Sequence, residues 1–261
     1  MEFIHSFCSH PGAVKEKNQD SLLIERGRIG ETSFYLYVVC DGMGGLDKGE
    51  VASAELIRAF SEWFREELTQ IWQEKPYQYR DGAIEVSLKQ LLERENRKIA
   101  AYGRARGIHM GSTVSAFLSA GDYYYIVHIG DSRIYEIGGG FSQLTDDHTL
   151  VAREVQEGRL GPREAETDSR RNVLLQCVGA SEVIEPQFRM GSVGTDTVYL
   201  LCSDGFRHTL TEEEIFQCFQ PGRITTAQQI GDICRELTQL AMDRGEEDNI
   251  TVLAARSYRE G

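Results

Sequence analysis

Apolar positions along this chain recur with two periods, and the change from one to the other outlines the elements before any chemistry is considered. Within Val51–Trp72, Leu56, Ile57, Phe60, Phe64, Leu68, Ile71 and Trp72 fall at helical spacing, which predicts a single long helix. In Gly82–Tyr102 the same spacing links Ile84, Leu88, Leu91, Leu92 and Ile99. Thr226–Met242 carries Ile230, Ile233, Cys234, Leu237, Leu240 and Ala241 on one face, with Thr225 or Thr226 as its N-cap. Thr211-Glu212-Glu213-Glu214 ahead of Ile215 matches a capping box for a shorter helix.

Between these lie compact β-branched and aromatic runs bounded by turn residues. Phe34–Cys40, Tyr123–Ile129, Val198–Cys202 and Ile250–Ala254 are predicted strands, with Ser112–Leu118 and Phe3–Cys8 as weaker ones. Tyr123–Ile129, Gly130-Asp131 and Ser132–Ile137 together predict a hairpin with a two-residue turn. Strands fall before, between and after the helices, an order that favours antiparallel sheets flanked by helices over a doubly wound parallel sheet. No repeat, low-complexity tract or composition break interrupts the 261 residues, so one domain, 1–261, is expected.

Composition narrows the function. The formal charge is −13, from 41 acidic against 28 basic residues, with no basic stripe of the size a nucleic-acid binder needs. No apolar run approaches the roughly 20 residues that span a bilayer. Met1-Glu2-Phe3-Ile4-His5 lacks the basic and apolar regions of a signal peptide, which sets a cytoplasmic expectation. The six cysteines form no C-x-x-C pair; Cys40, Cys202 and Cys234 sit in apolar runs, so buried free thiols are expected rather than disulfides.

The candidate chemistry lies in the aspartates at strand ends. Asp41 follows Phe34–Cys40, Asp204 follows Val198–Cys202, Asp248 precedes Ile250–Ala254, and Asp20 precedes Ser-Leu-Leu-Ile. Strands ending this way can gather carboxylates at one edge of a packed sheet, where like charges need a cation between them. Hard divalent ions such as Mg²⁺ and Mn²⁺ take carboxylate, carbonyl and water oxygens. Asp-Gly is also a common turn pair, Asp131 sits where a turn would put it, and Gly44 and Gly45 could simply end a strand and begin a helix. Spacing alone leaves both readings open.

Gly12-x-Val14, Asn18-Gln19-Asp20, Asp41-Gly42-Met43-Gly44-Gly45, Gly111-Ser112-Thr113, Gly130-Asp131-Ser132-Arg133, Leu144-Thr145-x-Asp147-His148, Ser203-Asp204-Gly205 and Asp248-Asn249-Ile250-Thr251 stand in one order from about residue 5 to residue 256. In that order the chain resembles the type 2C protein phosphatases, and without a histidine after Asp41-Gly42 it resembles their compact bacterial branch. The resemblance implies an α+β fold, a four-layer α-β-β-α sandwich of two antiparallel sheets flanked by helices. It implies two metal ions, Mn²⁺ or Mg²⁺. Asp41 would bridge them, the Gly42 carbonyl would bind the first, and Asp204 and Asp248 would bind the second. Asp20 would hold metal-bound water, and Asp131 with Asp204 would support a third, weaker ion. Asp41, Asp204 and Asp248 carry catalysis on this reading, by direct attack of a metal-activated water on phosphoserine or phosphothreonine. Implied partners are phosphorylated proteins, including a Ser/Thr kinase and its targets, met by a cytoplasmic monomer that binds neither nucleic acid nor membrane.

Two departures stand out. Lys15 occupies the place of a phosphate-clamping arginine, and a lysine binds phosphate as a point charge without the bidentate fork. Gln19 replaces a glutamate, removing one charge beside the metals. The polar segment 156–172 resembles the flap beside the active site, where Arg170 and Arg171 could meet an acidic substrate. His148 is expected to be structural. Cysteine-based hydrolysis is excluded because no cysteine has an arginine six positions later. A non-catalytic binding protein of the same fold and a phosphatase dedicated to one phosphorylated switch protein are the competing readings. Loss of Asp41, Asp204 or Asp248 would favour the former, and all three are present.

Overall fold

The computed structural model describes residues 1–43 and 48–259, and for Glu166 the backbone alone. Gly44 and Gly45, expected at a strand-to-helix junction, lie outside the described residues. Two five-stranded antiparallel sheets face each other. One has the order β1 (Glu2–His10), β12 (Ile250–Tyr258), β11 (Val198–Cys202), β8 (Arg133–Ile137), β9 (Phe141–Gln143). The other runs β10 (Gln187–Ser192), β7 (Tyr123–Ile129), β6 (Val114–Ala120), β3 (Thr32–Cys40), β2 (Ser21–Ile29). A two-stranded ribbon joins β4 (Gly42–Met43) to β5 (Gly111–Ser112).

Three apolar layers hold this together. Between the sheets the filling is aromatic: Phe3, Tyr35, Tyr37, Phe117, Tyr124 and Tyr199, with the Phe117 and Tyr199 rings 4.5 Å apart. Their hydroxyls are satisfied at the layer's margins, as where Tyr199 Oη donates to Glu136 Oε1 at 2.9 Å. Outside the β2–β3 sheet pack α1 (Gly49–Arg65), α2 (Glu67–Glu74) and α3 (Tyr77–Arg106), through Leu56, Phe60, Trp63, Leu88 and Leu92. Outside the other sheet lie α7 (Glu212–Cys218) and α8 (Ala227–Asp243), through Ile215, Ile230, Cys234 and Leu237. The order is helix, sheet, sheet, helix, as the resemblance implied. Between β9 and β10 come two short helices, α4 (Leu150–Gln156) and α5 (Pro162–Thr167), and α6 (Asp204–Arg207) follows β11. Among the described residues, no helix is long and apolar enough to cross a membrane.

The four principal strands form where their runs predicted, and the capping boxes at Thr211 and Thr226 are present. Two expectations fail. The single helix over 51–72 is interrupted at Glu66, which stays in the right-handed helical region but at a distorted φ −105°, ψ −67°. No glycine or proline marks that break. Packing holds it instead, with Leu68 buried and the Trp72 ring edge-on to Phe34 at 4.7 Å. The hairpin over 123–137 also fails, because β7 and β8 belong to different sheets. Gly130-Asp131-Ser132 is a crossover: Gly130 takes φ +111°, and a Cβ there would lie 2.5 Å from the Thr113 methyl group. A two-residue window shows that the chain turns, but not which sheet the next strand joins.

Candidate active site

The sheet register brings the strand-end aspartates to one end of the sandwich. Ser21 pairs with Cys40, so Asp20 and Asp41 flank the open end of the β2–β3 pair. Cys202 pairs with Val252 in the facing sheet, and the Ser203 N–H donates to the Thr251 carbonyl, which places Asp204 and Asp248 at the matching end. The crossover carries Asp131 between the sheets. Asp20, Asp131 and Asp204 are buried, whereas Asp41 and Asp248 keep partial exposure.

Burial raises the Asp41 carboxyl far above the usual carboxylate range, and the charges of Asp20, Asp204, Asp131 and Asp248 add to that. Burial likewise pushes Asp20 up to about 7, with Asp204 and Asp248 adding to the rise and the nearby Thr251 and Ser203 hydroxyls opposing it. Asp131 also rises to about 7 through burial and then Asp204, while Arg207 acts against the shift. Two carboxylate oxygens in this group, Asp20 Oδ1 and Asp204 Oδ1, are buried without a hydrogen-bond partner. Leaving a buried charged acceptor unsatisfied costs several kcal/mol, roughly, so these atoms call for a cation.

Among the described residues, no three His, Cys, Asp or Glu side chains converge closely enough to enclose an ion by themselves. The acids are spread around a shared space. That arrangement suits Mg²⁺ or Mn²⁺, which keep several waters and need few protein ligands. Gly42 fits a role through its backbone: a Cβ there would meet the Gln19 and Gly49 carbonyl oxygens, each at 2.4 Å, so the strand passes where no side chain fits.

The surrounding groups orient the acids. Ser203 Oγ donates to Asp20 Oδ2 at 2.9 Å, and the Thr113 hydroxyl accepts from the Asp41 N–H at 3.0 Å. Asn249 accepts from the Gln19 N–H at 2.8 Å and donates to the carbonyls of Pro11 and Lys17 at 2.9 and 3.0 Å, tying loop 11–19 to Asp248. That loop presents Lys15, whose Nζ lies 3.2 Å from Asp248 Oδ1 with both side chains half-exposed. Gln19 Nε2 reaches Glu50 at 3.5 Å.

His148 accepts from the Gly130 N–H through Nδ1 at 3.2 Å, and its own N–H donates to the Gly130 carbonyl at 2.7 Å, so it fastens the crossover. In segment 156–172, Arg170 is engaged by Glu154 and Asp168 at 2.9 and 2.8 Å, while Arg171 is exposed. Sequence reasoning missed Arg207 and His208. His208 lies 3.5 Å from both Asp204 and Glu246, and Arg207 reaches Asp131. Their only advance signal was their place about one turn beyond Asp204, Arg207 ending α6 and His208 capping it.

Residues 12–240 match the model of the protein phosphatase 2C family. The chain belongs to that family. Over 250 residues it is 32% identical to the serine/threonine protein phosphatase PstP of Mycobacterium tuberculosis, an alignment covering 95% of this chain and 43% of PstP. It therefore spans under half the length of that relative. It is 28% identical over 250 residues to the serine/threonine phosphatase stp of Listeria monocytogenes, covering 95% of this chain and 93% of that one. The solved catalytic domain of PstP, in complex with two manganese ions, matches with a TM-score of 0.76 at 29% identity, covering 98% of this chain and 99% of that chain. For this member of the protein phosphatase 2C family, the five clustered aspartates are thus the natural place to look for cations.

Proposed function

We propose that this chain is a metal-dependent protein serine/threonine phosphatase, a single catalytic domain that removes phosphate from phosphoserine and phosphothreonine and so opposes a Ser/Thr kinase. The observation that carries the reading is the pair of unpartnered buried oxygens, Asp20 Oδ1 and Asp204 Oδ1, within a group of five aspartates. Asp41, the Gly42 carbonyl, Asp204 and Asp248 would hold two divalent cations, Mn²⁺ or Mg²⁺, with Asp20 beside them. Such ions lower the pKa of water at neutral pH and offset charge on the phosphoryl oxygens.

The chain's own residues do the remainder. Lys15, half-exposed at the rim on a loop fixed by Asn249, attracts the substrate phosphate as a point charge. Ser203 and Thr113 hold Asp20 and Asp41 in place, so little reorganisation is needed as charge develops. Substrates are phosphorylated proteins met in the cytoplasm by a monomer. The relatives support this reading, since PstP and stp are both named serine/threonine phosphatases.

The test is phosphate release from a phosphothreonine peptide with Mn²⁺, with Mg²⁺ and with a chelator. Turnover that requires the metal and stops on chelation is the expected result. No turnover under either metal, with metal binding still seen by calorimetry, would instead support a non-catalytic binding protein.

A further inference from the structure

Arg207 is a partly buried arginine set into an acidic site. Its side chain is 15% exposed, and its Nη2 donates to the Asp131 carbonyl at 3.1 Å. The same nitrogen lies 3.9 Å from Asp131 Oδ2 and 3.6 Å from Asp147 Oδ2. Asp147 has its own counter-ion in Arg133, whose Nε and Nη2 donate to it at 2.9 and 2.7 Å. Arg207 thus faces both carboxylates, and with Arg133 already bound to Asp147 the two arginines match the two acids in number. A guanidinium stays protonated in proteins, so this charge is permanent.

We propose that Arg207 is the resident counter-ion of Asp131, so that this site takes two divalent cations and admits no third at Asp131. The inference rests on the metal reading above. Local charge balance supports it: Asp131 and Asp147 carry −2, and Arg133 and Arg207 supply +2, so this corner of the site keeps no net negative charge for a further ion. A further divalent ion at Asp131 would sit against a fixed guanidinium in a buried setting, where like charges repel strongly. Lys15, half-exposed beside Asp248, stays outside this balance and is left to meet phosphate. Arg207 acts here as a positioning and charge-setting residue without touching substrate.

The experiment counts ions. Manganese chloride is titrated into the wild-type chain, Asp131→Asn, Arg207→Gln and Arg207→Lys, with binding followed by calorimetry and free Mn²⁺ by electron paramagnetic resonance. Circular dichroism checks that each variant is folded. The expected counts are two, two, three and two, with the third ion in Arg207→Gln bound at least tenfold more weakly than the others. A wild-type count of three that falls to two in Asp131→Asn overturns the proposal while leaving the metal reading intact. A count of two in folded Arg207→Gln overturns it as well. Should Arg207→Gln fail to fold, the Asp131→Asn count decides alone, an unchanged two supporting the proposal and any drop overturning it. A wild-type chain that binds no ion removes the metal centre and this inference together.

Discussion

Asp20 is buried and the side chain of Asp147 is only 11% exposed, yet their surroundings drive them in opposite directions. Burial and two neighbouring aspartates raise Asp20 to about 7, and one of its oxygens has no partner. Burial would raise Asp147 too, but hydrogen bonds from Arg133 and the charge of Arg207 outweigh it and hold the carboxyl below its ordinary value. Depth therefore does not settle what a buried acid does. An acid whose counter-charge is built into the chain contributes to the fold, and one whose counter-charge is missing is poised for something that arrives from outside.

The sharpest way to break this comparison is to remove one acid from the unbalanced group. Asp204→Asn should lower kcat/KM on a phosphothreonine peptide by on the order of 10³-fold while leaving the melting temperature of the metal-free chain unchanged or higher. A loss of activity matched by a loss of fold would place Asp204 with Asp147 instead. On the balanced side, Arg133→Met strips Asp147 of its bidentate partner and should destabilise by about 3 kcal/mol, a drop of roughly 10 °C in a thermal melt.

The response to pH separates the two groups without mutation. Folded Asp20 and Asp131 stay protonated up to about pH 7, whereas the unfolded chain releases those protons near its reference value of 3.8. Between these values the folded state binds more protons, so metal-free stability should fall as pH rises through the window. Saturating Mn²⁺ at pH 7 should restore about 2.7 kcal/mol at a hundredfold excess over its dissociation constant. Melts at several pH values, with and without Mn²⁺, check both parts, and a metal-free melting point that climbs steadily from pH 4 to 7 would contradict the first.

One substitution made twice gives a finer contrast. Asp20→Asn should stabilise the metal-free chain at pH 8 by about 1–2 kcal/mol, because it removes an uncompensated charge, whereas Asp147→Asn should destabilise it by a similar amount. Urea titrations that gave both changes the same sign would end the comparison. Lys15→Met is the mildest case: its half-exposed pair with Asp248 should contribute under about 1 kcal/mol, and the variant should raise KM severalfold with kcat nearly unchanged.

What was legible in the sequence follows the same division. Asp41, Asp204 and Asp248 stand out because each lies at or one residue from a compact apolar run within a strand, and such runs announce their own ends. β2 was missed, since Ser21–Ile29 mixes apolar and charged residues and its inner face is defined only by pairing with β3. The sheet switch at Gly130 and the helix break at Glu66 depend on partners distant in sequence, which no local window contains. Arg207 was invisible for a related reason: an arginine after Asp-Gly-Phe reads as surface until the crossover brings Asp131 against it.

The pairing of β1 with β12 has a consequence for how the protein is made. Nine residue pairs, from Glu2↔Tyr258 to His10↔Ile250, join two segments far apart in the chain. Asp41 leaves the ribosome about two hundred residues before Asp248 does, a delay of roughly 10–40 s at ordinary elongation rates. Throughout that interval the nascent chain carries half a site and a sheet without the strand that joins β1 to β11. A protease that frees β12 would dismantle the fold and the aspartate site in one cut, so the proposed phosphatase activity would report faithfully on the integrity of the sheet.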